Sequence, residues 1–206
     1  MCGKDCRSCP GNVAIRITPP QRGGVLVIGE KKMVIETERL RLREYTAEDF
    51  DSLFALLSDP ETMQYYPKPY DEKGARRWLE WSLQNYKDHG FGWWAVELKQ
   101  TGEFIGDCGI TMQNIDGEIL PEIGYHIHKN FWRKGYGKEA AKAVRDWGFE
   151  NTDFDCLYAY MNRDNIASWA TAAAAGMKRI KEYTDDSDEQ LYVYAITRKE
   201  WKKPDF

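Results

Sequence analysis

Residues Trp132-Arg133-Lys134-Gly135-Tyr136-Gly137-Lys138-Glu139-Ala140-Ala141 set two glycines among basic side chains, directly ahead of a helix-patterned run to Phe149. Just upstream, Glu122-Ile123-Gly124-Tyr125-His126-Ile127-His128 reads as a strand. A strand, a short glycine loop and a helix turn several main-chain N–H groups toward one point. The first amides of a helix lack intrahelical partners and carry partial positive charge, so that point suits a phosphate. Glycine reaches positive φ and lets an anion approach the backbone closely. The spacing excludes two familiar phosphate loops. Neither G-x-x-x-x-G-K-[ST] nor G-x-G-x-x-G followed by a distant acidic residue is present.

The elements that must hold this loop follow from periodicity. Ile35 to Tyr45 alternates apolar Leu40 and Leu42 with Arg39, Arg41 and Arg43, as in a half-buried strand. Thr46-Ala47-Glu48-Asp49 opens a helix with Phe50, Leu53, Phe54 and Leu57 on one face, ended by Asp59-Pro60. Asp71 caps a second helix with Ala75, Trp78, Leu79 and Leu83 on one face, after the aromatic, proline-stiffened connection Tyr65–Tyr70. Residues 91–98, 103–112 and 120–129 read as successive antiparallel strands. A helix over 134–149, a strand over 155–161, a helix over 164–175 ended by Gly176, and strands near 177–184 and 190–198 complete the chain.

A chain of 206 residues can bury one proper core, and 14% aromatic residues argue against disorder. No apolar run reaches the roughly 18 residues of a spanning helix. The expected location is therefore the cytoplasm, with no membrane partner. Net charge is −4, with six cations against two carboxylates in residues 1–32, which leaves −8 on the remainder. An acidic body does not suit nucleic acid and does suit a cationic acceptor. Of five cysteines, Cys108 and Cys156 sit in apolar strand contexts as free thiols. Cys2, Cys6 and Cys9 have the spacing of an iron–sulfur triad, but the rest of the chain lacks the barrel such chemistry needs. Residues 1–32, broken by Pro19, Pro20, Gly23 and Gly24, are expected to be a flexible extension outside the folded domain 33–206, and no metal is expected.

The glycine loop resembles the pyrophosphate-binding signature of the GNAT family of N-acetyltransferases, entered here from Glu122-Ile123-Gly124-Tyr125. Trp132 stands where Gln or Arg is usual, as in the branch that acetylates the N-termini of ribosomal proteins. Asn165-Ile166-Ala167-Ser168 followed by Ala175-Gly176-Met177 is similar to a second block of that branch, so the resemblance runs from about Val34 to Trp201. It implies an α/β (α+β) fold: a mixed, mostly antiparallel sheet of six to seven strands with a splayed central pair, flanked by about four helices.

The resemblance further implies acetyl-CoA as co-substrate. Trp132, Arg133, Lys134, Gly135, Tyr136, Gly137 and Lys138 would surround its diphosphate. Tyr125, His126 and Ile127 would line the gap that takes the pantetheine arm, eased open by Gly124, and Asn165 would contact that arm. Glu122, at the head of the splayed strand, is the candidate base, with His126 in reserve. The family's usual acid, a tyrosine, falls at Ala172, so Ser168 is the substitute candidate. Acceptors implied are a protein or peptide N-terminus or a small amine, with aminoglycosides and a non-catalytic acyl-CoA sensor as alternatives, in a monomer or homodimer. Tyr65, Tyr66, Tyr70, Trp93 and Trp94 could rim the acceptor site, and Asp185, Asp186 and Asp188 could face a basic substrate.

Overall fold

The computed structural model describes residues 32–201. An eight-stranded sheet runs in the order β1-β2-β3-β4-β5-β6-β8-β7. Its strands are β1 (Met33–Glu36), β2 (Leu40–Arg43), β3 (Trp93–Leu98), β4 (Phe104–Ile115), β5 (Glu118–Ile127), β6 (Cys156–Asn162), β7 (Lys178–Thr184) and β8 (Gln190–Thr197). Four helices flank it: α1 (Phe50–Ser58), α2 (Glu72–His89), α3 (Tyr136–Asn151) and α4 (Ile166–Ala174). The Cys-containing extension expected at the amino terminus lies outside the described residues.

The eighth strand corrects the expected six to seven. The alternating run from Ile35 breaks into a hairpin because Thr37 turns the chain: its amide donates to the Leu40 carbonyl at 3.0 Å, and its hydroxyl accepts from the Leu40 amide at 2.9 Å. The helix expected from Lys134 begins only at Tyr136. Arg133 and Gly135 hold φ of 62° and 81°, outside the helical region. The cap expected at Asp71 is present, whereas Thr46, expected to open the first helix, precedes a short 3-10 turn and α1 starts only at Phe50. Asp71 accepts from the Gly74 amide at 2.7 Å, and Gly90 closes α2 at φ 73°.

The two faces of the sheet do different work. Residues opposite one another in adjacent strands share a face. Trp93, Gly109 and Gly124 are so aligned, as are Ala95, Asp107 and His126, and then Thr111, Glu122 and Tyr158. Over the first part of this face, α1 and α2 bury Leu53, Leu57, Ala75 and Leu79 against Trp93 and Ala95. The opposite face carries Trp94, Cys108, Ile110, Ile123 and Leu157 against α3 and α4. The Trp93–Trp94 pair thus sends one ring each way, and Trp94 packs edge-on to Trp147 at 4.8 Å, far from any acceptor rim. Cys108 is a buried free thiol, and Cys156 is buried as well.

Candidate active site

All sheet neighbours are antiparallel except β5 and β6, which run parallel and pair only at Glu122 and Tyr158. Beyond that pair the strands diverge. The His128 amide donates to the Ile105 carbonyl at 2.9 Å, so the even-numbered residues of β5 bond to β4. The main-chain groups of Tyr125 and Ile127 therefore point the other way, into the gap toward β6. Buried backbone amides need partners, and an extended chain laid in the gap would supply them.

The mouth of this gap meets the glycine loop. Gly135 ends the loop as the α3 cap, and Trp132, Arg133, Lys134 and Gly135 are all exposed. A side chain added at Gly137 would look onto Ile127 Cγ1 at 3.6 Å and Thr171 Oγ1 at 3.9 Å, so the first turn of α3 sits over the parted strands. Arg39 and Glu139, to which the sequence analysis assigned no role, brace it. Arg39 donates to the Lys134 carbonyl at 2.9 Å, pairs with Glu139 at 2.6 Å and lies 4.7 Å from the Tyr136 ring centre. The Trp132 indole folds back to donate to the Ile127 carbonyl at 2.6 Å, which leaves the loop's main chain to face a ligand. This loop and gap fit a diphosphate joined to a slender amide-bearing arm.

Glu122 stands where the strands part, on the α1/α2 face, and is 7% exposed. Burial pushes its carboxyl up to about 8, against a hydrogen bond with Thr111 that pulls the other way. Tyrosines surround this position: Tyr66, Tyr70 and Tyr160 all lie within electrostatic reach of one another, Tyr66 and Tyr160 also of Glu122. The Tyr160 phenol is pushed up to about 12, chiefly by burial. Tyr65 donates to the Asp164 carbonyl at 3.2 Å, while Tyr66 meets His126 on β5 at 2.7 Å. The connection between α1 and α2 therefore straps across the divergence from β5 to the start of α4.

His126, expected to line the coenzyme gap, is placed elsewhere. Its main chain pairs with Asp107, and its ring lies on the α1/α2 face, stacked on Trp93 at 4.9 Å. Gly124 does not mark a bulge against β4, because the two strands pair without a register shift through Gly109 and Gly124. It leaves room for Trp93 instead, whose Cη2 would lie 2.2 Å from an added Cβ. Asn165 spends its side-chain oxygen capping α4, accepting from the Ser168 amide at 3.0 Å. On the α3/α4 face, Tyr125 donates to the Ser168 carbonyl at 2.7 Å, and the Ser168 hydroxyl donates to the Tyr125 phenol at 3.2 Å. An Ala172 backbone hydrogen bond also reaches that phenol. A strand tyrosine thus occupies the helix position where Ala172 offers no side chain. Asp185 is engaged within its own turn, accepting from Ser187 and Glu189. No His, Cys, Asp and Glu cluster among the described residues is arranged to hold a metal ion.

Comparison with known proteins agrees with this geometry. A family model for the acetyltransferase (GNAT) domain matches residues 39–178. The chain is 36% identical to the Bacillus subtilis protein YkkB over 84% of its own length and 92% of that protein's. It is 30% identical to the N-acetyltransferase YnaD of the same organism, covering 82% and 99%. The ribosomal-protein-S5-alanine acetyltransferase of Vibrio fischeri superposes with a TM-score of 0.67 at 17% identity, covering 82% of this chain and 98% of that one, a likeness of fold.

Proposed function

The chain belongs to the GNAT family and is an acetyl-CoA-dependent N-acetyltransferase, and we propose that it acetylates an unhindered primary amine on a slender cationic acceptor, by direct attack in a ternary complex. The observation that carries this reading is the lapse of strand pairing after Glu122, directly beneath the exposed amides of the glycine loop. Amides of residues 135–138 hold the diphosphate, with Arg133 and Lys134 adding charge. The N–H groups of Tyr125 and Ile127 hold the arm, and one of them polarises the thioester carbonyl.

The acceptor comes from the α1/α2 face as an ammonium ion. Glu122, in its ionised form, takes its proton; a carboxyl raised to about 8 by burial is matched to an amine far better than an ordinary one. The neutral nitrogen then attacks the carbonyl carbon, and the C–S bond breaks with its electron pair on sulfur. On the opposite face Tyr125, backed by Ser168, supplies the proton to the thiolate. Tyr66, Tyr70 and Tyr160 present ring faces that favour a cation. The strap over the cleft favours an amine at the end of a thin chain. A peptide N-terminus meets that requirement, and so does a polyamine; the Vibrio fischeri neighbour is named for an alanine of a ribosomal protein.

Thiol release from acetyl-CoA, measured with peptides, polyamines and aminoglycosides in parallel, tests this. Turnover with peptides or polyamines and little with the bulky, branched sugars is the expected result. Preference for aminoglycosides would overturn the slender-acceptor reading. Tight acetyl-CoA binding with no acceptor consumed would turn the protein into an acyl-CoA sensor.

A further inference from the structure

A buried line of hydrogen bonds on the acceptor face is left unused by the transfer steps above. Asp107 of β4 is 0% exposed. One of its oxygens accepts from the Tyr45 hydroxyl at 3.1 Å, and the other lies 2.7 Å from Nδ1 of His126. Nε2 of the same ring lies 2.7 Å from the Tyr66 hydroxyl. A carboxylate only accepts, so Nδ1 carries the hydrogen, Nε2 accepts, and Tyr66 donates. Trp93 stacks on the imidazole, and Trp78 and Tyr66 lie at 5.7 and 5.5 Å, which fixes its plane. The titratable groups facing this line are Glu122 on β5, Cys108 beside Asp107 on β4, Tyr45 after β2, Tyr70 on the strap, Tyr86 on α2 and Tyr160 on β6.

Amide formation strips two protons from the acceptor nitrogen. One leaves the ammonium before attack, and the other leaves once the N–C bond has formed. We propose that Tyr66, His126 and Asp107 form a relay that accepts the second proton, Tyr66 being the catalytic residue that touches the acceptor and Asp107 a positioning residue. The nitrogen's proton passes to the Tyr66 oxygen as the phenol's own passes to Nε2 of His126. The resulting imidazolium is neutralised by Asp107 and later discharges to solvent. Hydroxyl, imidazole and buried carboxylate in hydrogen-bonded sequence are the arrangement that makes a hydroxyl oxygen basic without leaving a free charge. The relay rests on the transfer reading above and adds to it a group for which Glu122 cannot substitute, since Glu122 is already protonated when the second proton departs.

The test uses the full-length protein. Nitrogen NMR of labelled histidine, with His126 identified by its loss in His126→Gln, is expected to show hydrogen on Nδ1 and a bare Nε2. Hydrogen on Nε2 in the neutral ring overturns the relay. With acetyl-CoA and propylamine, Tyr66→Phe should lower kcat by about tenfold or more, leaving KM for acetyl-CoA unchanged. Asp107→Asn, which can donate to Nδ1 and so inverts the tautomer, should lose a similar factor; wild-type kcat in either variant overturns the proposal. Should calorimetry show no acetyl-CoA binding by the wild type, the transfer reading fails first, while the tautomer still decides whether the line is built as described.

Discussion

At the scale of single residues, Glu122 concentrates the account. Its folded-state value of about 8 lies above the ordinary 4.5 because burial penalises the charge. A carboxyl raised in this way contributes stability below pH 4.5 that is lost as pH climbs through 8. Glu122→Gln should therefore flatten the fall in melting temperature between pH 5 and pH 8, a comparison that thermal unfolding at the two pH values makes directly. The same variant should lose turnover at neutral pH and lose less at high pH, where the amine is already neutral; kcat against pH checks it. Gly124 makes a packing claim. Its Cβ would meet Trp93 at 2.2 Å, so Gly124→Ala should cost about 1–3 kcal/mol in urea unfolding and shift the His126 resonances as the indole moves. Asp71 was legible in the sequence as a cap, whereas Glu122, expected at the head of its strand, lies in the middle of β5. The His126 environment was not, because Asp107, Tyr66 and Trp93 come from three other segments and no spacing announces them.

Elements decide how firmly the glycine loop is held. Arg39, from the turn between β1 and β2, ties the Lys134 carbonyl and Glu139 across a distance in sequence that no local pattern reveals. Arg39→Ala should free the loop and weaken acetyl-CoA binding by about tenfold, with little change in unfolding midpoint, since these side chains are partly exposed and such pairs add about 1 kcal/mol or less to stability. Isothermal calorimetry beside a melting curve separates the two effects. Gly135→Val acts differently. Space around Gly135 is open, its nearest neighbour being Arg39 at 3.5 Å, but a β-branched residue at φ 81° carries about 1–3 kcal/mol of strain. Relief of that strain turns the amides away, so acetyl-CoA affinity should fall tenfold or more by the same calorimetry. Strand and helix types followed from periodicity, most ends shifted by one or two residues, while β4 runs three further, to Ile115, and α1 starts late, at Phe50. The β1–β2 break escaped because Thr37 turns the chain with its own hydroxyl inside an otherwise unbroken alternation.

For the whole molecule, the sheet must stay rigid on one side of the gap for the strands to part on the other. Arg43, 1% exposed, anchors that side by meeting Asp49 at 2.7 Å and Glu97 through a short ion pair. Arg43→Met removes the cation both carboxylates share and should cost about 3–5 kcal/mol, read as a lowered urea midpoint at constant slope. The order of strands and helices was readable from the chain because each segment's hydrophobic period agrees with its place in the fold. The gap was legible only through the family resemblance, because a lapse in pairing between two good strands leaves no trace in either one. The central claim is that this gap and the adjoining amides hold acetyl-CoA, and a crystal structure of that complex tests it most directly. The account predicts the diphosphate on the amides of residues 135–138, with the arm bonded to Tyr125 and Ile127 and the thioester beside Glu122. A diphosphate seated elsewhere, or β5 and β6 zipped together past Tyr158, would contradict it.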